Sequence, residues 1–181
     1  MRSSRSSAWL AAFCVGCASL DGSVSVRESL GDTGLSFEAP AGFEAPIATF
    51  GGPEPALLYL FVSEDGSTPT FPSLEVRALQ AGEPATVQNY VAAELARGDA
   101  VITPRPTTVA GLPAVEFAVI QPVFVMHEEP PKGDSRIVRH SVAFEHRGHV
   151  YTCYLEAWPH QHAAYARVLQ RFCSSGRQGA A

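Results

Sequence analysis

On either side of Arg147-Gly148 apolar and polar residues alternate in matching phase, and this pairing constrains the fold of the chain more than any other feature. A two-residue turn there sets His146 opposite His149, Phe144 opposite Tyr151, Val142 opposite Cys153 and His140 opposite Leu155. Apolar side chains of both strands then share one face, whereas a slip of one residue would turn that set to solvent. After Trp158-Pro159, the residues Tyr165, Val168, Leu169, Phe172 and Cys173 recur at helical spacing. A C-terminal helix is therefore expected to lie over the apolar face of the hairpin.

Other segments read as strands by the same logic. Leu35–Ala39 alternates and stops at Pro40-Ala41-Gly42; Ala56–Val62 is a continuous apolar run; Leu74, Val76 and Ala78 alternate with Glu75 and Arg77. Thr86 is placed to cap a helix in which Val87, Tyr90, Val91 and Leu95 share a face and Gly98 supplies the stop. Val101–Thr103 is expected as a short strand, Pro104–Thr108 as a loop, and Val109–Pro113 as a turn into a strand over Val115–Ile120, extended by Val123–Met126. The stretch from Glu128 to Asp134, with Pro130-Pro131 at its centre, is too polar for anything but an exposed loop. These elements give an α+β class: an antiparallel sheet flanked by helices in a single domain.

With 46% hydrophobic and 17% charged residues in 181, the chain can bury one sizeable core without metals or disulfides. Its net charge of −5 excludes a dedicated nucleic-acid binder, which needs a basic excess to neutralise phosphates. The charge is unevenly spread: 4 basic and 15 acidic residues lie between Ala18 and Pro131, against 7 basic and 3 acidic from Lys132 onward. Such a basic C-terminal third suits an acidic partner or an anionic lipid surface; arginines that only solvate the hairpin and helix are the alternative.

The first residues read as an export signal. Arg2 and Arg5 precede the apolar run Ala8–Gly16, which is too short to span a bilayer and ends at Cys17. Gly16-Cys17 is similar to the lipobox of bacterial lipoproteins, with Cys14 where leucine is usual, and this makes Cys17 the candidate lipidation site. Palmitate and further acyl chains on Cys17 would anchor the chain in the cell envelope, facing the periplasm or the outside. On this reading residues 1–16 are a signal peptide, 17–34 a lipidated cysteine and flexible tether, 35–175 the domain, and 176–181 a disordered tail.

Phe37–Phe43 (a strand, then Pro-x-Gly-aromatic), the turn Val109–Ala114, the return Gly148-His149-Val150-Tyr151 and the Tyr165–Ser174 helix together resemble the PsbP/DcrB-like α/β/α sandwich. The resemblance implies an exported domain that acts by binding, since that family includes thylakoid-lumen photosystem subunits, bacterial lipoproteins and secretion chaperones. The acidic Pro-Pro loop departs from its simplest members.

Motifs for chemistry are absent. The single lysine, Lys132, is followed by Gly133, so no P-loop exists, and no G-x-S-x-G, H-E-x-x-H or dinucleotide fingerprint occurs. No cofactor is expected. His146 and His149 should be neighbours at the hairpin tip, held a strand's length from His160 and His162, too far apart for one metal site. His140 shares the face of Val142 and Phe144 and is expected as a hydrogen-bonded histidine at the core or its edge. His140, His146 and His149 are thus candidate ligand or partner contacts, with no metal site. Cys153 and Cys173 both point into the interface of hairpin and helix, and a disulfide between them is expected outside the cytosol, with two buried free thiols as the alternative. The functional expectation is a lipid-anchored, non-catalytic binding or accessory protein with an envelope protein as partner; a ligand or metal carrier and an envelope hydrolase are the alternatives.

Overall fold

The computed structural model describes residues 26–43, 47–48, 56–61, 71–122 and 136–179. In chain order the elements are β1 (Arg27–Ser29), β2 (Leu35–Glu38), β3 (Ile47–Ala48), β4 (Ala56–Leu60), β5 (Ser73–Ala78), α1 (Val87–Leu95), β6 (Asp99–Val109), β7 (Leu112–Pro122), β8 (Arg136–His146), β9 (His149–Ala157), α2 (Pro159–Ser175) and β10 (Arg177–Gln178). They form two antiparallel sheets flanked by two helices in one domain: a seven-stranded sheet in the order β3-β4-β5-β9-β8-β7-β6, and a three-stranded sheet β1-β2-β10.

The central pair β8–β9 has the register that the alternation predicts, from His146 on His149 through Phe144 on Tyr151 and Val142 on Cys153 to His140 on Leu155. Arg147 and Gly148 both adopt positive φ, 50° and 79°, the backbone that matches the right-handed twist of the strands. Ala110 and Gly111 repeat this between β6 and β7, at 53° and 79°. The side chains of β8 and β9 alternate between two layers. Phe144, Val142, Tyr151, Cys153 and Leu155 pack with Leu169, Phe172 and Cys173 of α2, whereas Ala143 and Val150 pack with Val87, Tyr90 and Val91 of α1 and with Phe117 and Val119 of β7. Thr86 caps α1, its hydroxyl accepting from the Asn89 amide. Phe172 anchors α2, stacked on Phe37 at 5.1 Å and edge-on to Tyr59 at 5.4 Å.

Three expectations are corrected. Pro104–Thr108 is not a loop: the strand begun at Asp99 runs through both prolines to Val109. The reason is position, because among the described residues β6 is the edge strand of the sheet. Counting pairs from the two-residue turn, Arg105 and Thr107 bond inward, so Pro106 directs its missing donor away from β7, and Pro104 falls within a register shift. The tether does not extend to Gly34, since β1 pairs with β2 and Leu30 is fully buried. The tail is not wholly without structure, because Arg177 and Gln178 pair with Ser36 and Leu35. These strands have two or three residues, too few for a periodic signal. Cys17, Val123–Met126 and the loop from Glu128 to Asp134 lie outside the described residues.

Candidate functional site

A line of titratable side chains crosses the layer between the large sheet and α2. Glu116 is the one charged residue of β7, and it is 6% exposed. Arg105, its cross-strand partner on the edge, donates to it through two nitrogens, each at 2.9 Å. From the next strand His140, 1% exposed, places Nε2 2.9 Å from Glu116 Oε1, and its Nδ1 lies 3.2 Å from Nε2 of His162 in the first turn of α2.

The hydrogen-bond inventory fixes the proton positions. An ionised carboxylate only accepts, so His140 Nε2 donates; its Nδ1 then accepts, and His162 Nε2 is the donor. Burial lowers the proton affinity of His140, outweighing the pull of Glu116, and burial followed by the neighbouring His140 lowers that of His162. Burial alone would raise Glu116, but the bonds from Arg105 and His140 hold it below the ordinary carboxylate range. Near neutral pH the line is therefore an ionised Glu116 paired with Arg105, followed by two neutral imidazoles.

Beside Glu116 a cleft of about 270 Å³ opens between α2 and the β6–β7 edge, lined by Thr107, Thr108, Val142, Gln170, Cys173 and Ser174 together with the carboxylate. Carboxylate, hydroxyl and amide groups can bind a small polar molecule there. Chemistry by nucleophile and base has less to work with. The imidazole nearest the carboxylate has both ring nitrogens engaged, so it offers no free base to the cleft.

The opposite face of the sheet carries a second charged cluster. Arg139 donates to Glu156 at 2.8 Å, reaches Glu94 at 3.4 Å and lies 4.9 Å over the ring of Tyr154, whose hydroxyl bonds to Glu75. Burial raises Glu75 above the ordinary carboxylate value, and it raises the Tyr154 phenol as well.

Of the histidines singled out in the sequence, His140 is the buried centre of the first cluster. His146 bonds to the Thr33 carbonyl at 3.1 Å, and His149 is exposed at the tip. His162 meets His140, six residues from the tip pair His146 and His149. Among the described residues no group of three or more His, Cys, Asp or Glu is placed to hold a metal ion. Cys153 and Cys173 are free thiols buried in one interface. Glu116 joins the site without having stood out in the sequence, where its one signal is that it is the only charge between Leu112 and Pro122.

Among the described residues no helix is long and apolar enough to cross a membrane. No family model matches the chain, and no curated protein matches it. Several solved structures are similar to it. A Pseudomonas aeruginosa protein of unknown function shares 14% identity at a TM-score of 0.48, over 83% of this chain and 94% of its own. Cyanobacterial PsbP from Synechocystis sp. PCC 6803 also shares 14% identity, at a TM-score of 0.51, over 91% of this chain and 98% of its own. The second likeness is one of architecture: this chain has a PsbP-like fold.

Proposed function

We propose that the chain is an exported, lipid-anchored accessory domain that binds an acidic protein surface through the outer face of α2 and works without catalysis. The single observation that carries the binding reading is the charge of that face. Arg167 and Arg171 stand one turn apart and exposed, α2 contains no acidic residue, and exposed Arg177 follows it. Like charges on one helix repel one another, and an acidic partner relieves that cost. Anchoring rests on Gly16-Cys17 behind the apolar run, and the DcrB-like lipoprotein resemblance agrees with it. A non-catalytic role is supported by the engagement of Glu116 with Arg105 and His140, and of both ring nitrogens of His140 with Glu116 and His162.

A photo-crosslinker at exposed Ala164, used in native membranes, tests this. A discrete protein adduct should form, weaken at high salt and disappear in an Arg167→Glu/Arg171→Glu variant. An adduct indifferent to charge reversal would refute the reading, as would binding only to anionic vesicles. The cleft over Glu116 supports a second reading, a carrier of a small polar ligand, for which equilibrium binding to the purified chain is the test.

A further inference from the structure

We infer that Cys173 and Cys153 form an ordered thiol–disulfide couple served through the cleft beside Glu116, with Cys173 the sulfur that reacts first and Cys153 the sulfur that resolves. The site is separate from the cationic face of α2 and does not depend on its partner.

The order follows from where the two sulfurs sit. Cys173 lines the cleft together with Val142, Thr107 and Ser174, and it retains 4% exposure. Val142 is the direct cross-strand partner of Cys153, so the second sulfur lies behind the first, one strand further into the sheet and 0% exposed. Burial pushes the Cys153 thiol well up, and the adjacent Cys173 pushes it further. A buried, protonated thiol is a poor first nucleophile. It becomes an effective second one when the sulfur it must attack is held against it. A cleft of about 270 Å³ has room for one thiol fragment of a small disulfide.

The oxidant class is a small-molecule disulfide, RSSR. Cys173 loses its proton and attacks one sulfur of RSSR. That S–S bond breaks, the mixed disulfide Cys173–SR forms, and RS⁻ leaves and takes up a proton. Cys153 then loses its proton and attacks the Cys173 sulfur. The mixed bond breaks, the Cys153–Cys173 bond forms, and a second RS⁻ leaves to be protonated. In sum two protein thiols give up two electrons and two protons, and one RSSR becomes two RSH. The product ties α2 covalently to β9.

The test uses the full chain, reduced, exchanged into cystamine, quenched with acid at intervals and mapped by mass spectrometry after trypsin. Cleavage at Arg147, Arg167, Arg171 and Arg177 puts the two cysteines on different peptides. The expected sequence is cysteamine on Cys173 first, followed by a linked Cys153–Cys173 peptide. In Cys153→Ala the adduct on Cys173 should accumulate and persist. In Thr107→Trp, which narrows the mouth of the cleft, the first step should slow at least about tenfold, with reactivity in urea unchanged. Adduct on Cys153 before Cys173, a Cys173 adduct that never converts in the wild-type chain, or a Cys173 that reacts only in urea would each overturn the inference. So would a Thr107→Trp rate equal to wild type.

Discussion

Acidification below neutral pH should destabilise this protein, and the His140–His162 pair sets the size of the effect. Burial holds both rings below the value of 6.5 at which they titrate in the unfolded chain. As pH falls past 6.5 the unfolded chain therefore binds protons that the native state refuses. Stability is full above the unfolded-chain value and is lost as pH drops toward the native-state values. Each ring contributes a slope of at most ~1.4 kcal/mol per pH unit across its window, and solvent screening keeps half-buried His162 under that ceiling. Glu116 adds loss of the same sign at lower pH, because its native value lies below 4.5 and its contribution disappears as pH falls through that value. Glu75 acts in the opposite sense: its native value lies above 4.5, so stability is recovered as pH falls through it. Urea melts of wild type and His162→Gln, taken from about pH 7.5 to about pH 4, measure the slope directly. The glutamine amide keeps a donor for His140 Nδ1 and removes one titrating ring. The variant should lose stability less steeply just below pH 6.5, by up to ~1.4 kcal/mol per unit. Equal slopes, or a wild-type curve that is flat over that window, would refute the assignment of His140 and His162 as neutral imidazoles.

Phe172→Ala removes the ring between Phe37 and Tyr59 and should cost about 3–5 kcal/mol, read as a fall of roughly 6–20 °C in thermal midpoint; an unchanged midpoint would deny α2 its anchor. Gly98→Ala should be severely destabilising, because a Cβ there would stand 2.1 Å from the backbone oxygen of Ile120, and a urea midpoint equal to wild type would contradict the close approach. Pro106→Thr restores an outward-facing donor on the edge strand and should promote concentration-dependent association in sedimentation velocity, whereas unchanged sedimentation would show that the edge is protected by other means. Oxidation of Cys153 and Cys173 closes a loop of about 20 residues and should add roughly 3 kcal/mol to stability. Identical reduced and oxidised urea midpoints would deny the bridge a structural role.

The parts of the fold legible in the sequence were those held by local pattern reinforced across a pair of elements. The Phe144–Tyr151 register and the α2 stripe fell into place because the phase of β8 fixes the phase of β9 and, through their shared face, the helix. Pro104 and Pro106 misled because proline's effect on a strand depends on whether the missing donor points inward, and that is settled by which strand forms the edge. Leu30 and β10 were invisible because their burial comes from distant residues. The candidate site was legible only in pieces. His140 was marked by its place on the apolar face, but its partners come from β7 and from the first turn of α2, brought together by topology. The His162 contact could have been found: His140 pairs with Leu155, four residues before the first residue of α2, so the helix necessarily starts close to that histidine.

Lipid on Cys17 is the proposed means by which this domain, once exported, is held at a membrane. Intact mass spectrometry of the protein extracted from native membranes, with palmitate labelling of wild type and Cys17→Ser alongside, tests it most directly. A chain that begins at Cys17 with diacylglyceryl mass attached, and label and detergent partitioning that vanish in Cys17→Ser, is the predicted result. A chain that retains Met1, or label and partitioning unchanged in the variant, would contradict it.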